Sequence, residues 1–161
     1  MRGFDDGIPA QGRQCPGMDD AEMDRILADW AAGKSVVDRS DPLWQLVSYR
    51  FARFAMDSAR DDASVVAGSR PEIADQLVRA AGSIAANIGE GYSRPTFADR
   101  RRFYGYALGS TREAAIWYAA LEGRELGAEL VEARACVLSR VRRLIFGMLS
   151  ATIKRKGGSL F

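Results

Sequence analysis

Nine cationic side chains are the residues of this chain best placed to do chemistry, and that chemistry is the binding of a polyanion. Arg100, Arg101 and Arg102 stand together, and Arg140, Arg142, Arg143, Lys154, Arg155 and Lys156 follow near the C-terminal end. After Glu132 no acidic side chain occurs at all. The charge is unevenly spread: residues 1–41 hold nine acidic and five basic groups, whereas residues 42–161 hold twelve acidic and eighteen basic ones, a net charge of +6. Guanidinium groups match phosphate oxygens in charge and in hydrogen-bond geometry. A plainer explanation competes for the C-terminal cations, because the helix dipole favours positive charge in a last turn. The 100–102 run gains nothing from that effect, since it falls near a helix start.

Catalytic chemistry has little to work with. The chain has no histidine, the side chain most often used as general acid or base near neutral pH. Ser-His and Cys-His nucleophile pairs are thereby excluded. The three lysines, Lys34, Lys154 and Lys156, occupy a turn and a terminal basic run, with no apolar stretch to depress their pKa. No glycine-rich phosphate loop is present. Two isolated cysteines, Cys15 and Cys136, make neither a disulfide framework nor, without histidine, a usual structural zinc site. Cys136 reads as a small buried hydrophobe. Paired carboxylates such as Glu90 with Glu113 are the one remaining hint of acid–base work. The expectation is a non-enzymatic protein with no catalytic residue, metal or cofactor.

The elements that must position these side chains are helices. A chain of 161 residues with 47% apolar and 27% charged side chains suits one soluble domain with room for an appendage. No apolar run reaches the ~18 residues of a membrane span, and residues 1–7 carry no signal-peptide core, so a cytoplasmic location without membrane contact is expected. Residues 1–17, rich in Gly and Pro, read as a disordered tail. Asp19 can cap a short amphipathic segment with Glu22 in a capping box; Met23, Ile26, Leu27 and Trp30 share one face before Gly33 ends it. That segment is too short to be stable alone and must dock or fray.

Asp41-Pro42 signals the next helix start. Leu43, Val47, Phe51, Phe54 and Ser58 predict a helix over 42–63. Ile73, Leu77, Ala81, Ile84 and Ile88 predict one over 71–92, closed by Gly91 and Pro95. Thr96 with Asp99 resembles a capping pair for a third over 97–124, and apolar residues from Leu130 to Leu149 mark a fourth over 128–156. Long helices with short connections predict an all-α, antiparallel up-and-down four-helix bundle over 42–156. An N-terminal extension (1–41) and a C-terminal tail (157–161) flank it.

Two faces carry more than a bundle needs. In the third helix Tyr106, Trp117, Phe103, Leu121, Ala107, Tyr118, Tyr104 and Leu108 spread over roughly 200°, against an apolar stripe nearer 100° for a monomer's surface helix. A second buried face, made by self-association, is the sharper explanation. In the second helix Glu72, Gln76, Arg79, Ser83, Asn87, Glu90 and Arg94 share an arc of roughly 80° among small residues that would admit another backbone. Arg79, Ser83, Asn87, Glu90 and Arg94, with Glu113, Tyr104 and Tyr118 of the third helix, are the candidate polar seam of an interface.

At the second helix the residues become specific. Gln76-Leu77-Val78-Arg79-Ala80-Ala81-Gly82-Ser83-Ile84-Ala85-Ala86-Asn87-Ile88-Gly89-Glu90-Gly91-Tyr92-Ser93-Arg94 resembles the signature of the 23S rRNA-intervening-sequence family, commonly QLRRAA-SI-NIAEGYGR. Leu43-Trp44-Gln45-Leu46 is similar to the family's opening motif. Phe103, Ala107, Leu108-Gly109-Ser110 and Glu113 are similar to a downstream one. The likeness covers about 42–156; the first 41 residues match nothing, and Gly89 replaces the usual alanine. The resemblance implies an antiparallel four-helix bundle that assembles as a homopentamer. Five copies of a +6 bundle would carry about +30, a strong field for RNA or DNA. A related branch comprises the accessory variability proteins of diversity-generating retroelements, basic pentamers that bind a reverse transcriptase and nucleic acid; the sequence does not choose between the branches.

Two functions are therefore expected of such a chain. One is an oligomeric scaffold presenting a basic surface to RNA, DNA or a nucleoprotein partner. The other is a protein-directed adaptor, in which the acidic segment from Asp19 to Trp30 folds back on the bundle or engages a partner through its apolar face.

Overall fold

The computed structural model describes residues 18–156, with side chains through residue 151; the tails at 1–17 and 157–161 lie outside the described residues. Within them the chain is all-helical: α1 (Asp20–Ala32), α2 (Val36–Ser40), a 3-10 turn (Pro42–Gln45), α3 (Val47–Val66), α4 (Pro71–Ser93), α5 (Phe97–Leu121) and α6 (Ala128–Lys156). α4 packs on α3 and α5, and α6 packs on α5 and α3, so each long helix has two long neighbours.

The second helix forms as its spacing predicts. Pro71 occupies its first turn, where its missing N–H costs nothing. Ile73, Leu77, Ala81, Ile84 and Ile88 are all buried. Near its end Gly91 makes room for α5: a Cβ there would stand 2.5 Å from Cε1 of the Tyr104 ring. Only a glycine lets the two helices come that close. Gly89, where the resemblance implies alanine, faces Leu43 of the 3-10 turn, and a Cβ would lie 3.2 Å from its Cδ2. Thr96 caps α5 as its spacing predicts, accepting from the Asp99 backbone N–H at 3.1 Å and donating to its carboxylate at 2.7 Å.

The first bundle helix departs from expectation. Asp41 does cap the Leu43 N–H, at 2.8 Å, but the helix it starts is a single 3-10 turn, and Leu46 then breaks the run with extended dihedrals (φ −74°, ψ 115°). The break swings Trp44 inward. Its ring stacks on Trp30 of α1, with centroids 5.8 Å apart, and meets Tyr49 edge-on. Val47, one of the positions whose spacing predicted the helix, is exposed. The buried face of α3 runs through Phe51, Ala55, Ala59, Asp62 and Val66, reaching three residues beyond the expected end. At the other end of the bundle α5 stops at Leu121, three residues short of the expected 124, because Gly123 turns the chain with φ +70° and buries Leu126. Cys136 is buried as expected, but as one end of a disulfide rather than as a free thiol; Cys15, the chain's other cysteine, lies outside the described residues.

The acidic N-terminal segment docks. Asp19 accepts from the Glu22 N–H at 2.7 Å, and the apolar face of α1 buries Met23, Leu27 and Ala31 in the core. Trp30 donates its indole N–H to Asp57 at 3.1 Å and meets Phe54 edge-on. Burying side chains of this size is worth roughly 1.5–3 kcal/mol each, which supplies what a lone thirteen-residue helix lacks.

Candidate nucleic-acid interface

The three arginines at the start of α5 differ in their surroundings. Arg100 is half-buried; its Nε donates to the Arg94 carbonyl at 2.6 Å and its guanidinium lies over Phe97. Arg102 is exposed, within 3.3 Å of Asp99, a surface pair worth about 0–1 kcal/mol. Arg101 is exposed and has no ion pair among the described residues. Eleven residues on, Arg112 returns to the same side of the helix at ~100° per residue. It lines an apolar groove between α5 and α6 together with Ala115, Ile116, Leu138 and Arg142. Ile116 is 63% exposed there. Neither Arg112 nor Arg142 has an ion pair among the described residues. The sequence reading missed Arg112, which stands alone in the chain and shows its alignment with Arg101 only on the helical wheel.

Arg140 and Arg143 are not open. Asp20 of α1 accepts from Arg140 at 2.6 Å and from Arg143 at 2.5 Å, and Asp24 lies 3.7 Å from Arg140. The Arg140 guanidinium also covers the Phe51 ring. Five of the nine candidate cations are thus not open on α6 among the described residues: Arg140 and Arg143 are held by α1, while the backbone of 154–156 continues α6 and the side chains of Lys154, Arg155 and Lys156 lie outside the described residues. Because α1 lies against its own bundle, its apolar face is not available to another protein in this conformation.

The polar seam divides. Tyr104 and Tyr118, expected at an interface, are buried inside the subunit at 6% and 3% exposure. Tyr104 fills the space that Gly91 leaves, and burial raises its pKa. Tyr118 donates to Asp62 at 2.7 Å, and Arg134 grips the same carboxylate with Nε at 2.7 Å and Nη2 at 3.1 Å. Burial, then the Asp62 hydrogen bond, hold the Tyr118 hydroxyl far above the usual phenol range. Burial works against the Arg134 charge, but Asp62 outweighs it and the pKa is raised. This triad ties α3, α5 and α6 together.

The rest of the seam faces outward. Arg79 pairs with Asp75, and Glu90 pairs with Arg94 one turn on. Asn87 donates to the Ser83 carbonyl at 2.8 Å. Arg94 also lies 4.8 Å from the Phe103 ring centroid, which joins the seam to a stripe on α5 of Phe103, Tyr106, Glu113 and Trp117. Tyr106 is 54% exposed, its ring edge-on to Phe103, and the Trp117 indole reaches Glu113 at 3.5 Å. Glu113 meets that tryptophan rather than Glu90, so the two carboxylates form no pair. The aromatic stripe and the Arg101–Arg112 side flank the buried face of α5 on opposite sides.

An all-helical protein whose long second helix carries this motif is a defined class. Residues 52–135 match the 23S rRNA-intervening sequence protein family, and the chain belongs to that family. A solved structure from Bacteroides thetaiotaomicron VPI-5482, described as a protein with unknown function from the S23 ribosomal protein family, is similar in fold. It covers 64% of this chain and 98% of its own, with a TM-score of 0.60 and 19% identity. No curated protein matches the chain. α1 lies outside the matched residues. Among the described residues no helix is long and apolar enough to cross a membrane.

Proposed function

We propose that this protein is a non-enzymatic, self-associating scaffold that presents a cationic surface to nucleic acid. Its four long helices form an antiparallel bundle: Ser48 of α3 meets Met148 of α6 at 3.3 Å, while Asp62 further along α3 meets Arg134 further back along α6. The observation that carries the binding reading is the open cationic line of Arg101, Arg112 and Arg142. These are arginines with no ion pair among the described residues, two of them walling one groove. Eight of the other described arginines pair with acids, and Arg25, Arg39, Arg50, Arg60, Arg100 and Arg124 do not; what singles out this line is the alignment of Arg101 with Arg112 on one side of α5 and the shared groove wall of Arg112 and Arg142. An unpaired line fits a ligand that brings its own negative charge, and a phosphodiester backbone does so at regular spacing.

Self-association is supported on the other flank. The exposed Tyr106 and the part-buried Phe103 and Trp117, together with Glu90 and Arg94, give an aromatic patch with polar partners, the composition of an interface core and rim. A reverse transcriptase or another nucleoprotein remains a fitting partner for such an assembly.

The test is binding of labelled single-stranded RNA and duplex DNA across salt concentration. Binding should weaken as salt rises, and Arg101→Ala with Arg112→Ala and Arg142→Ala should flatten the log–log slope by about 1 per cation removed. A slope unchanged by the triple substitution would remove this surface as the interface.

A further inference from the structure

We infer that α1 is a built-in competitor for polyanions, with the Asp20 carboxylate occupying an arginine clamp on α6 that a phosphate would otherwise take. The inference rests on the nucleic-acid reading above and adds its regulation. Asp20 receives both guanidinium groups, one on each carboxylate oxygen: Arg140 at 2.6 Å on Oδ2 and Arg143 at 2.5 Å on Oδ1. Two arginines three positions apart on one helix, converging on a single anionic group, form the arrangement by which proteins hold a phosphate. The Nε atoms of both arginines are buried without a hydrogen-bond partner, so the carboxylate leaves donors of the clamp unused. A tetrahedral phosphate with more acceptor oxygens can reach donors that a planar carboxylate cannot.

The competitor is tethered so that it can yield without unfolding. Asp20 is the first residue of α1, and its side chain remains 48% exposed. The helix itself is held further along, by Met23, Leu27, Ala31 and the Trp30–Trp44 stack. An incoming phosphate can therefore displace the carboxylate by a side-chain rotation while the apolar face stays seated. Such half-exposed ion pairs are individually weak, so a phosphate group can compete with the carboxylate for the two guanidinium groups.

The discriminating experiment compares two full-length variants of equal net charge. Asp20→Asn with Asp24→Asn removes the acids that face the clamp. Glu22→Gln with Asp29→Asn removes two exposed acids of the same helix that have no side-chain partner among the described residues. The first should bind single-stranded RNA severalfold more tightly than the unaltered protein, with a salt slope steeper by about 2 as two arginines become available. The second should show at most the small uniform gain of a changed net charge. Equal gains for both, or an unchanged slope in the first, would overturn the inference. RNA binding that disappears with Arg101→Ala, Arg112→Ala and Arg142→Ala but ignores Asp20→Asn would leave the function standing and sink only the competitor. Absence of binding in every form would sink both. Should the double variant melt early, Asp20→Asn alone carries the comparison.

Discussion

Asp62 shows what a single side chain can decide in this protein. It sits on the buried face of α3 in step with Phe51, Ala55 and Val66, where a carboxylate survives only if its oxygens are fully engaged. Tyr118 and Arg134 engage them from two other helices. Asp62→Ala leaves the Arg134 guanidinium, one-fifth exposed, without its counter-charge. Breaking a fully buried pair costs about 3–5 kcal/mol, and water reaching Arg134 reduces this to about 2–4 kcal/mol, read from urea unfolding midpoints. Replacing both partners, as Asp62→Leu with Arg134→Met, should cost clearly less than the sum of the two single changes.

The same site sets a pH dependence. An unfolded phenol titrates near 10, and Tyr118 in the folded protein titrates higher. The unfolded chain therefore releases this proton first. The stabilisation is complete below about pH 10 and declines as pH rises further, by up to about 1.4 kcal/mol per pH unit. Tyr104, raised in the same direction, contributes likewise. Tyr118→Phe should make alkaline unfolding less steep, which urea titrations between pH 9 and 11 would register; an unaltered steepness would mean that the hydroxyl titrates alike in the folded and unfolded chain.

At the scale of elements, legibility followed how local the governing physics was. α4 could be read almost residue by residue, because its proline start, its apolar spacing and its glycine end all act within one helix. The start of α3 could not. Asp41-Pro42 carried a genuine cap, but the residue that ends the turn early, Leu46, answers to Trp44 packing on Trp30 across a connection of more than ten residues. Asp62 was legible in principle, since a carboxylate in phase with a core stripe implies a buried partner, yet nothing local names Arg134. The open groove arginine, Arg112, was hidden for the opposite reason: its significance lies in what fails to pair with it.

Two substitutions test the elements separately. Gly91→Ala drives a methyl group into the buried Tyr104 ring, so α4 and α5 must part, at a cost of about 1–3 kcal/mol in thermal or urea unfolding. Trp30→Ala removes the ring that bridges α1 to Trp44, Phe54 and Asp57. Its effect should be local: amide exchange over Asp20–Ala32 accelerates while the amides of α4 keep their protection. Loss of protection in both regions at once would show that α1 is integral to the bundle's cooperative unit.

For the whole molecule the decisive question is what covers the aromatic flank of α5. Phe103, Tyr106 and Trp117 are more than a solvated helix needs, and they sit beside Arg94 and Glu90, which can satisfy polar groups at a rim. The cationic flank lies on the far side of the same helix, so a second copy on the aromatic side leaves Arg101, Arg112 and Arg142 open. Assembly would then multiply the cationic line around a symmetry axis, and a strand touching several copies gains affinity through effective concentration rather than through new contacts. Tyr106→Glu places a charge where a partner's apolar surface would rest, at a position 54% exposed and outside the subunit's own core, on which the part-buried Trp117 packs. The expected outcome is a drop from an oligomeric to a subunit mass in light scattering, with the helical circular dichroism signal retained and RNA affinity falling at least tenfold. An unaltered mass would mean that this flank is not the contact, and a subunit mass for the unsubstituted protein at micromolar concentration would remove self-association itself.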